Sequence, residues 1–237
     1  MEPERITELL SPFLGSGSED QALSVTQLHS ISTYIDILLR WNARINLTSV
    51  RQPEEIVTRH LGESFFAARH LFPKKASSKL DNEPGQGDRQ VHVIDVGSGA
   101  GFPGLPIKIW APHIHLTLIE SNQKKAIFLR EVIRHLSLDN GDVFAGRLQD
   151  FGKDNRGTVA HQDRKADIVT LRAVEHFDSI LPAAANLVAT GGLLALLVGE
   201  SQLQQVGLLT PGFPWSPPIR LPCSTSRVLS IGRKESS

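Results

Sequence analysis

The sequence predicts an α/β protein in which a doubly wound, mostly parallel sheet follows an N-terminal helical extension. Between positions 25 and 71, apolar residues recur with the 3.6-residue period of amphipathic helices. The rest of the chain contains short β-branched and aliphatic runs, typical of parallel strands buried on both faces. These runs begin at Val91, His115, Asp142, Asp167 and Leu193.

The extension contains two predicted helices. The first covers the segment 25–47, and the second begins at Pro53, whose fixed φ suits a first helical position. Glu54 follows it and is favourable at the positive end of the helix dipole. The second helix should end near Pro73, so we expect residues 1–73 to form the extension.

Residues 74–90 are rich in Ser, Pro, Gly and charge, and they have too little apolar surface to offset the entropy of ordering them. We therefore expect a flexible linker there, a sheet domain over 91–233 and a tail over 234–237. Helical stretches 122–136 and 178–188 would supply crossovers between parallel strands. The remaining predictions are a polar surface loop at 151–165 and an antiparallel edge strand in the C-terminal run RVLSIGR.

Composition limits the classes of protein that the chain can represent. With Cys223 as its only cysteine, the chain cannot form an internal disulfide or a thiolate metal cluster. No stretch approaches the roughly 20 consecutive apolar residues of a membrane helix. The N-terminus also lacks the pattern of a secretory signal. We expect a cytoplasmic protein with no membrane span and no structural metal.

Basic charge is concentrated in one window of this formally neutral chain. Eight basic residues and three acidic residues lie between Arg40 and Lys79, so this window carries +5 and the remainder −5. From charge alone, a solvated helix face is the simpler explanation. The alternative is a surface that binds nucleic acid.

The run VIDVGSGAGFPG, from Val93 to Gly104, predicts a strand that enters a glycine-rich turn and then a helix. Its G-x-G-x-G spacing, with Phe102 where a dinucleotide site has its third glycine, favours adenosylmethionine over a nicotinamide cofactor. Glu120 ends the second strand, nineteen residues after Gly101, where an acid could accept both ribose hydroxyls. The alternatives are a plain tight turn and a solvent-facing or helix-capping acid.

Two further strand ends should close the same crevice. After the third strand, Leu148 and Gln149 are placed to bracket an adenine, although a helix N-terminus capped by Asp150 is equally consistent. Arg172 ends the fourth strand, where a charge is costly unless it is paired or faces the crevice. We expect Arg172 near both the cofactor and the incoming base, rather than in a merely structural ion pair.

Several segments together resemble the ribosomal small-subunit methyltransferase G family, also called glucose-inhibited division protein B. The resemblance covers about 28–198 and implies a seven-stranded Rossmann-like methyltransferase sheet. It also implies methylation of N7 of the guanine at position 527 of 16S rRNA, with 16S rRNA or the 30S subunit as partner. The segments are RWNARINLTSV, RHLGESFF, VIDVGSGAGFPGLPI, LIES, GRLQDF and LRAV.

By the family pattern, the cofactor contacts are Gly97, Phe102, Leu148, Gln149 and Arg172. Two positions depart from that pattern. Val198 stands where the family usually has a lysine, and Glu63 stands where aspartate is common. Any role of that lysine in contacting phosphate or guanine must be filled by another group or be absent.

Guanine N7 has an in-plane lone pair and no proton at neutral pH, so its methylation requires alignment rather than a general base. We therefore predict no catalytic acid, base or nucleophile. Arg44, Arg51 and Arg59 are predicted phosphate contacts, and His60 is predicted near the guanine, with a packed or capping role as its alternative. A methyltransferase for small molecules or proteins on the same fold is one alternative. A catalytically silent RNA-binding protein is the other.

Overall fold

The structure is a computed structural model that describes residues 1–15, 22–73, 90–152, 165–174 and 176–235. Its centre is a seven-stranded sheet with the order β3-β2-β1-β4-β5-β7-β6. The predicted α/β class is confirmed. The strands are β1 (His92–Val96), β2 (His115–Glu120), β3 (Gly141–Ala145), β4 (Ala166–Arg172), β5 (Val188–Gly199), β6 (Ile219–Arg220) and β7 (Arg227–Arg233).

The first five strands are parallel, and the chain reverses its direction of winding at the centre of the sheet. From β1 the order runs outward through β2 to β3, whereas β4 lies on the other side of β1. Such a switch point leaves a crevice beyond the carboxyl ends of the strands. The glycine-rich turn that follows Val96 lies at this point.

The C-terminal strands are antiparallel, and the predicted position of RVLSIGR at the sheet edge is wrong. This run forms β7, which pairs with β5 on one side and with the two-residue strand β6 on the other. Ile219 pairs with Leu229, so β6 covers what would have been an edge. A strand of two residues next to Pro217 and Pro218 has no periodic signal in the sequence.

Helices flank the sheet and form the extension. The extension contains α1, which the sequence did not reveal, followed by α2 and by one continuous helical stretch that includes a π-helical segment. Its elements are α1 (Pro3–Leu14), α2 (Val25–Asn42), α3 (Pro53–Ile56), the π-helical segment (Val57–Gly62) and α4 (Glu63–Leu71). The sheet helices are α5 (Gly104–Trp110), α6 (Gln123–His135), α7 (Phe177–Leu187) and α8 (Leu203–Leu209).

Helix α2 ends at Asn42, five residues before the predicted end at Leu47. The Asn42 side chain is buried, and its Oδ1 accepts hydrogen bonds from the backbone N–H of Leu47 at 2.8 Å and of Thr48 at 3.0 Å. An asparagine that satisfies backbone groups in this way competes with the helix and favours a loop. The apolar stripe therefore continues past the true helix end.

The extension shares one hydrophobic core with a face of the sheet domain. Phe65 of α4 packs against Trp110 of α5 with a ring-centroid distance of 6.5 Å, and the Trp110 indole N–H donates to the Phe72 carbonyl at 2.9 Å. Ile31 and Leu38 of α2 belong to the same cluster of buried side chains. Residues 1–15 and 22–73 thus pack as part of the sheet domain.

Three sequence predictions fall wholly or partly on residues that are not described. The predicted linker 74–90 is described only at Gln90, and the polar loop 151–165 only at its ends. In the predicted tail, the backbone N–H of Lys234 donates to the Gly192 carbonyl at 2.9 Å, so Lys234 continues the sheet. Glu235 follows Lys234. In the described parts of the chain, no helix has the length and apolar character needed to cross a membrane.

Candidate functional site

A crevice of about 1050 Å³ opens beyond the carboxyl ends of β1 to β4. One side, here called the cofactor wall, consists of residues 97–100 of the glycine loop 97–101, together with Glu120, Leu148 and Gln149. The opposite side, here called the helical wall, consists of Thr48, Ser49 and His60 from the extension together with Arg172. The volume suits a nucleotide-sized cofactor and leaves room for a second group.

The glycine loop has a backbone conformation that only glycine adopts readily. Gly97, Gly99 and Gly101 have φ values of 70°, 57° and 92°. The N–H groups of Gly97 and Ser98 both donate to the Ile119 carbonyl, at 2.9 and 3.1 Å, which fixes the loop against β2. A Cβ at Gly97 would lie 2.7 Å from Val174 Cγ1, so a side chain there would disturb the loop itself as well as any ligand.

Glu120 lies at the end of β2, as predicted, and is only 6 % exposed. Its Oε2 accepts from Gly99 N at 2.8 Å, and its Oε1 accepts from Asn122 N at 2.7 Å. Asn122, not Glu120, caps α6, because its Oδ1 accepts from Lys124 N and Lys125 N. Each carboxylate oxygen keeps a further lone pair, so Glu120 can accept hydrogen bonds from hydroxyl groups in the crevice.

Leu148 and Gln149 begin a short 3-10 turn (Leu148–Asp150) directly after β3. Leu148 is buried and Gln149 is exposed, and both line the crevice. The residue that precedes this turn is Arg147, and Asp150 lies inside the turn. A helix capped by Asp150, the alternative that the sequence left open, would continue into 153–164, which lie outside the described residues. An apolar side chain beside an amide matches the arrangement expected around an adenine.

Asp95 supports the glycine loop, and nothing in the sequence indicated this role. Its side chain is fully buried; Oδ1 accepts from Thr170 Oγ1 at 2.7 Å and Oδ2 accepts from Gly104 N at 3.3 Å. Burial raises the pKa of Asp95 to about 6, and the hydrogen bonds from Thr170 and Ser98 oppose this rise. Asp95 thus connects β4 to the start of α5.

Arg172 lies at the end of β4 and lines the crevice, and it is also part of a buried ion pair. Its Nη2 lies 2.9 Å from Glu63 Oε2, and the two side chains are 7 % and 6 % exposed. Arg227 approaches the same oxygen to 2.8 Å. Burial lowers the pKa of Arg172, whereas the Glu63 charge raises it. Arg172 therefore lines the crevice, as a functional role requires, and also forms a buried ion pair, as a structural role requires.

His60 lies on the helical wall with both ring nitrogens occupied by protein groups. Nδ1 is 2.9 Å from Arg172 Nη2, and Nε2 is 2.7 Å from Thr48 Oγ1. Its ring packs on Phe102 with centroids 4.9 Å apart. Burial, reinforced by the charge of Arg172, lowers the pKa of His60 to about 3, so the ring is neutral near pH 7. This environment matches the packed alternative for His60.

Phe102 joins the two walls. Its ring is 6 % exposed and lies 5.5 Å from the Tyr34 ring of α2, with the Arg172 guanidinium 5.8 Å from its centroid. The Tyr34 hydroxyl donates to the Ala100 carbonyl of the glycine loop. The sequence contains no signal for the roles of Tyr34 and Thr48, because without its tertiary contacts each is an ordinary helix or loop residue.

The predicted phosphate contacts Arg44, Arg51 and Arg59 are exposed and do not line the crevice. Arg59 pairs with Glu55 at 2.9 Å on the helix surface, and its carbonyl accepts from Arg172 Nη2 at 2.9 Å. No ion pair involves Arg44 or Arg51 within the described ranges. The lysines of the basic window at 74, 75 and 79 lie outside the described residues.

Two further predictions concern metals and Val198. Among the described residues, no group of three or more His, Cys, Asp and Glu side chains could hold a metal ion. Val198 is 5 % exposed and pairs with Val228 in the β5–β7 ladder, within an apolar cluster. The position at which the resemblance implies a lysine is thus occupied by a core residue.

Solved structures of methyltransferases share this fold. The ribosomal protein L11 methylase from Lactobacillus delbrueckii has a TM-score of 0.54 at 12% identity, covering 75% of this chain and 80% of that chain. M. jannaschii TYW2 in complex with AdoMet has a TM-score of 0.50 at 15% identity, covering 62% and 70%. At such low identity these similarities concern the fold alone, and they confirm the Rossmann-like methyltransferase class.

Sequence comparison identifies the family. The family described as rRNA small subunit methyltransferase G matches residues 27–210. A protein from Xanthomonas campestris named Ribosomal RNA small subunit methyltransferase G is 32% identical over 204 residues, which are 86% of this chain and 84% of that protein. A protein of the same name from Exiguobacterium is 34% identical over 180 residues, or 76% and 68%. The chain belongs to the rRNA small subunit methyltransferase G family.

Proposed function

We propose that this protein transfers the methyl group of S-adenosylmethionine to N7 of the guanine at position 527 of 16S rRNA. The observation that carries the proposal is the crevice in which Glu120 and the glycine loop face a helical wall built by the extension. Family membership supports the same reaction. The described residues of the cofactor wall also suit the cofactor in their hydrogen-bonding chemistry.

Glu120 would hold the ribose, because its two carboxylate oxygens keep acceptor capacity after binding Gly99 N and Asn122 N. Leu148 would pack against the adenine, and the Gln149 amide would bind its polar edge. The glycine loop brings backbone close to the ligand without the obstruction of a side chain. S-adenosylmethionine supplies an electrophilic methyl group on a cationic sulfur.

The residues of the helical wall provide alignment and a suitable charge. Guanine N7 carries no proton at neutral pH, so no residue has to remove one. Methylation leaves the guanine with a positive charge, which an additional cation nearby would oppose. His60 remains neutral with its pKa lowered to about 3, and Glu63 offsets one of the two positive charges of Arg172 and Arg227. Glu63 therefore reduces the repulsion between this wall and the methylated base.

The RNA would contact the exposed arginines of the extension. Arg44, Arg51 and Arg59 are exposed on the segment that supplies Thr48 and His60 to the crevice. Arginine guanidinium groups on such a surface suit RNA phosphates. We further propose that the substrate is 16S rRNA within the 30S subunit or a precursor of it, and that the protein acts in the cytoplasm.

Mapping of N7-methylguanosine in 16S rRNA tests this function. The modification at position 527 should be absent from cells without the gene and should return when the wild-type gene is restored, but not with Glu120→Ala. Purified protein should also transfer labelled methyl groups to 30S subunits from the deletion strain. Binding of S-adenosylmethionine without transfer to RNA would support the silent RNA-binding protein, and transfer to metabolites alone would support the other alternative.

A further inference from the structure

The loop that follows α2 places Thr48 in the lining of the crevice. Asn42 shapes this loop by accepting from Leu47 N and Thr48 N, and its Nδ2 donates to the Val50 carbonyl at 3.4 Å. Thr48 lines the crevice beside His60. The loop is therefore built around a buried side chain, and the position of the Thr48 hydroxyl is fixed by the protein.

The proton positions on His60 follow from its partners. A guanidinium has only donors, so His60 Nδ1, 2.9 Å from Arg172 Nη2, must accept. The neutral ring then carries its proton on Nε2, which donates to Thr48 Oγ1 at 2.7 Å. The lowered pKa of His60, at about 3, agrees with a ring that does not gain a second proton. Arg172 thus sets the tautomer of His60.

The partners of the Thr48 hydroxyl determine what it can offer to a ligand. Its Oγ1 accepts from His60 Nε2 and also from Val50 N at 3.1 Å. A hydroxyl oxygen has two lone pairs and one proton. Since both lone pairs are occupied within the described part of the chain, the hydroxyl presents a donor and no acceptor. Arg172, His60 and Thr48 thus form a directed chain of hydrogen bonds that ends in one O–H group.

We propose that Thr48 is a specificity-determining residue that selects guanine by donating its hydroxyl proton to O6, with His60 as the positioning residue that keeps the hydroxyl a donor. The proposal deepens the guanine N7 methylation proposed above and rests on it. Next to N7, guanine presents the O6 acceptor, whereas adenine presents the N6 amino donor. A hydroxyl with both lone pairs occupied matches O6 and leaves an adenine amino group facing another donor.

The test compares purines that keep N7 and differ at position 6, with inosine as a control that lacks only the 2-amino group of guanosine. Synthetic RNA segments carrying guanosine, inosine, 2-aminopurine or 2,6-diaminopurine at the target are ligated into 16S rRNA and reconstituted into 30S subunits. Inosine keeps O6 and N7, 2-aminopurine lacks O6, and 2,6-diaminopurine replaces O6 by an amino group. Single-turnover methyl transfer from labelled S-adenosylmethionine is measured for each substrate.

Wild-type protein should methylate guanosine and inosine at least about tenfold faster than 2-aminopurine, and 2,6-diaminopurine should be the slowest substrate. Thr48→Val keeps the branched shape and removes the hydroxyl. In this variant the ratio of the guanosine rate to the 2-aminopurine rate should fall about tenfold. Because the ratio is measured within one variant, a lower folded fraction does not change it.

Two control variants separate the hydroxyl from other effects. Thr48→Ser keeps the hydroxyl and should keep the wild-type preference. Ser49→Ala removes a neighbouring hydroxyl that lines the same crevice and should also keep it. If Thr48→Val keeps the wild-type ratio, the proposal for Thr48 is wrong. If the wild-type protein methylates none of the four substrates while still binding S-adenosylmethionine, the proposed guanine methylation itself is wrong, and the Thr48 proposal with it.

Discussion

The two walls of the crevice are built in different ways. On the cofactor wall, Glu120 binds backbone groups that are 21 and 2 residues away in sequence. On the helical wall, Arg172 reaches Glu63 and His60 across 109 and 112 residues, and Arg227 reaches Glu63 across 164. The cofactor wall therefore depends on local backbone conformation, whereas the helical wall depends on the packing of the whole chain.

This difference predicts that substitutions in the helical wall act first on stability, and substitutions in the cofactor wall act first on ligand affinity. The largest effect should come from Glu63→Ala, because it leaves Arg172 buried without its carboxylate partner. Removing one member of a buried ion pair costs about 3 to 5 kcal/mol. Urea unfolding followed by circular dichroism measures this decrease in unfolding free energy.

An exposed ion pair of the extension provides the control for Glu63. Arg5 and Glu54 lie 2.8 Å apart with side chains 41% and 57% exposed. Glu54→Ala should leave the unfolding midpoint close to that of the wild type, because solvent screens exposed pairs. If Glu63→Ala proves as stable as Glu54→Ala, the buried pair does not hold the two regions together.

On the cofactor wall, Glu120→Ala should weaken S-adenosylmethionine binding by about tenfold to a hundredfold, since hydrogen bonds to a charged group contribute about 1.5 to 3 kcal/mol. Glu120→Gln keeps the shape and should retain part of the affinity. Isothermal titration calorimetry on folded variants measures the effect. Unchanged affinity in Glu120→Ala would place the ribose elsewhere in the crevice.

Two buried titratable groups, His60 of the helical wall and Asp95 in β1, should affect stability with opposite signs as pH changes. His60 has its pKa lowered from 6.5 to about 3, so its contribution to stability is complete above 6.5 and is lost as pH falls toward 3. Asp95 has its pKa raised from 3.8 to about 6, so its contribution is complete below 3.8 and is lost as pH rises through 6.

Unfolding free energies measured at about pH 5 and about pH 6 distinguish the two groups. A difference of one bound proton between the folded and unfolded states changes the unfolding free energy by about 1.4 kcal/mol per pH unit. His60→Gln should remove the contribution to the unfolding free energy that increases with pH. Asp95→Asn should remove the contribution that decreases with pH. Identical pH profiles for the wild type and both variants would show that neither side chain titrates differently in the folded state.

The smallest expected effects belong to the exposed arginines. Removing one arginine that binds an RNA phosphate should make the log–log dependence of RNA affinity on salt shallower by about 0.7 to 0.9 units. Arg44→Ala and Arg51→Ala should show this in filter-binding titrations of 30S subunits, without a change in cofactor affinity. Arg59→Ala should show less, because Glu55 already pairs with it at 2.9 Å. Wild-type slopes in all three variants would mean that the basic surface is only solvated.

The sequence was sufficient for the parts of the molecule that depend on local patterns. The parallel strands, the glycine turn and the position of Glu120 follow from periodicity and spacing, because each requires particular residues close together in the chain. The pairing of Glu63 with Arg172, the tautomer of His60 and the support of the loop by Asp95 require tertiary contacts between distant residues. The two-residue strand β6 and the early end of α2 were missed because side-chain hydrogen bonds and sheet pairing, not hydrophobic pattern, define them.

The placement of Phe102 has a consequence for protein engineering. Its ring packs against Tyr34 and His60 of the extension, while the carbonyl of Ala100 in the adjoining glycine loop accepts a hydrogen bond from the Tyr34 hydroxyl. The helices and the sheet are thus not exchangeable modules. A chimera that combines this sheet with the N-terminal helices of another methyltransferase would need side chains in those helices that pack against Phe102. Without them, the glycine loop would lose its supporting surface.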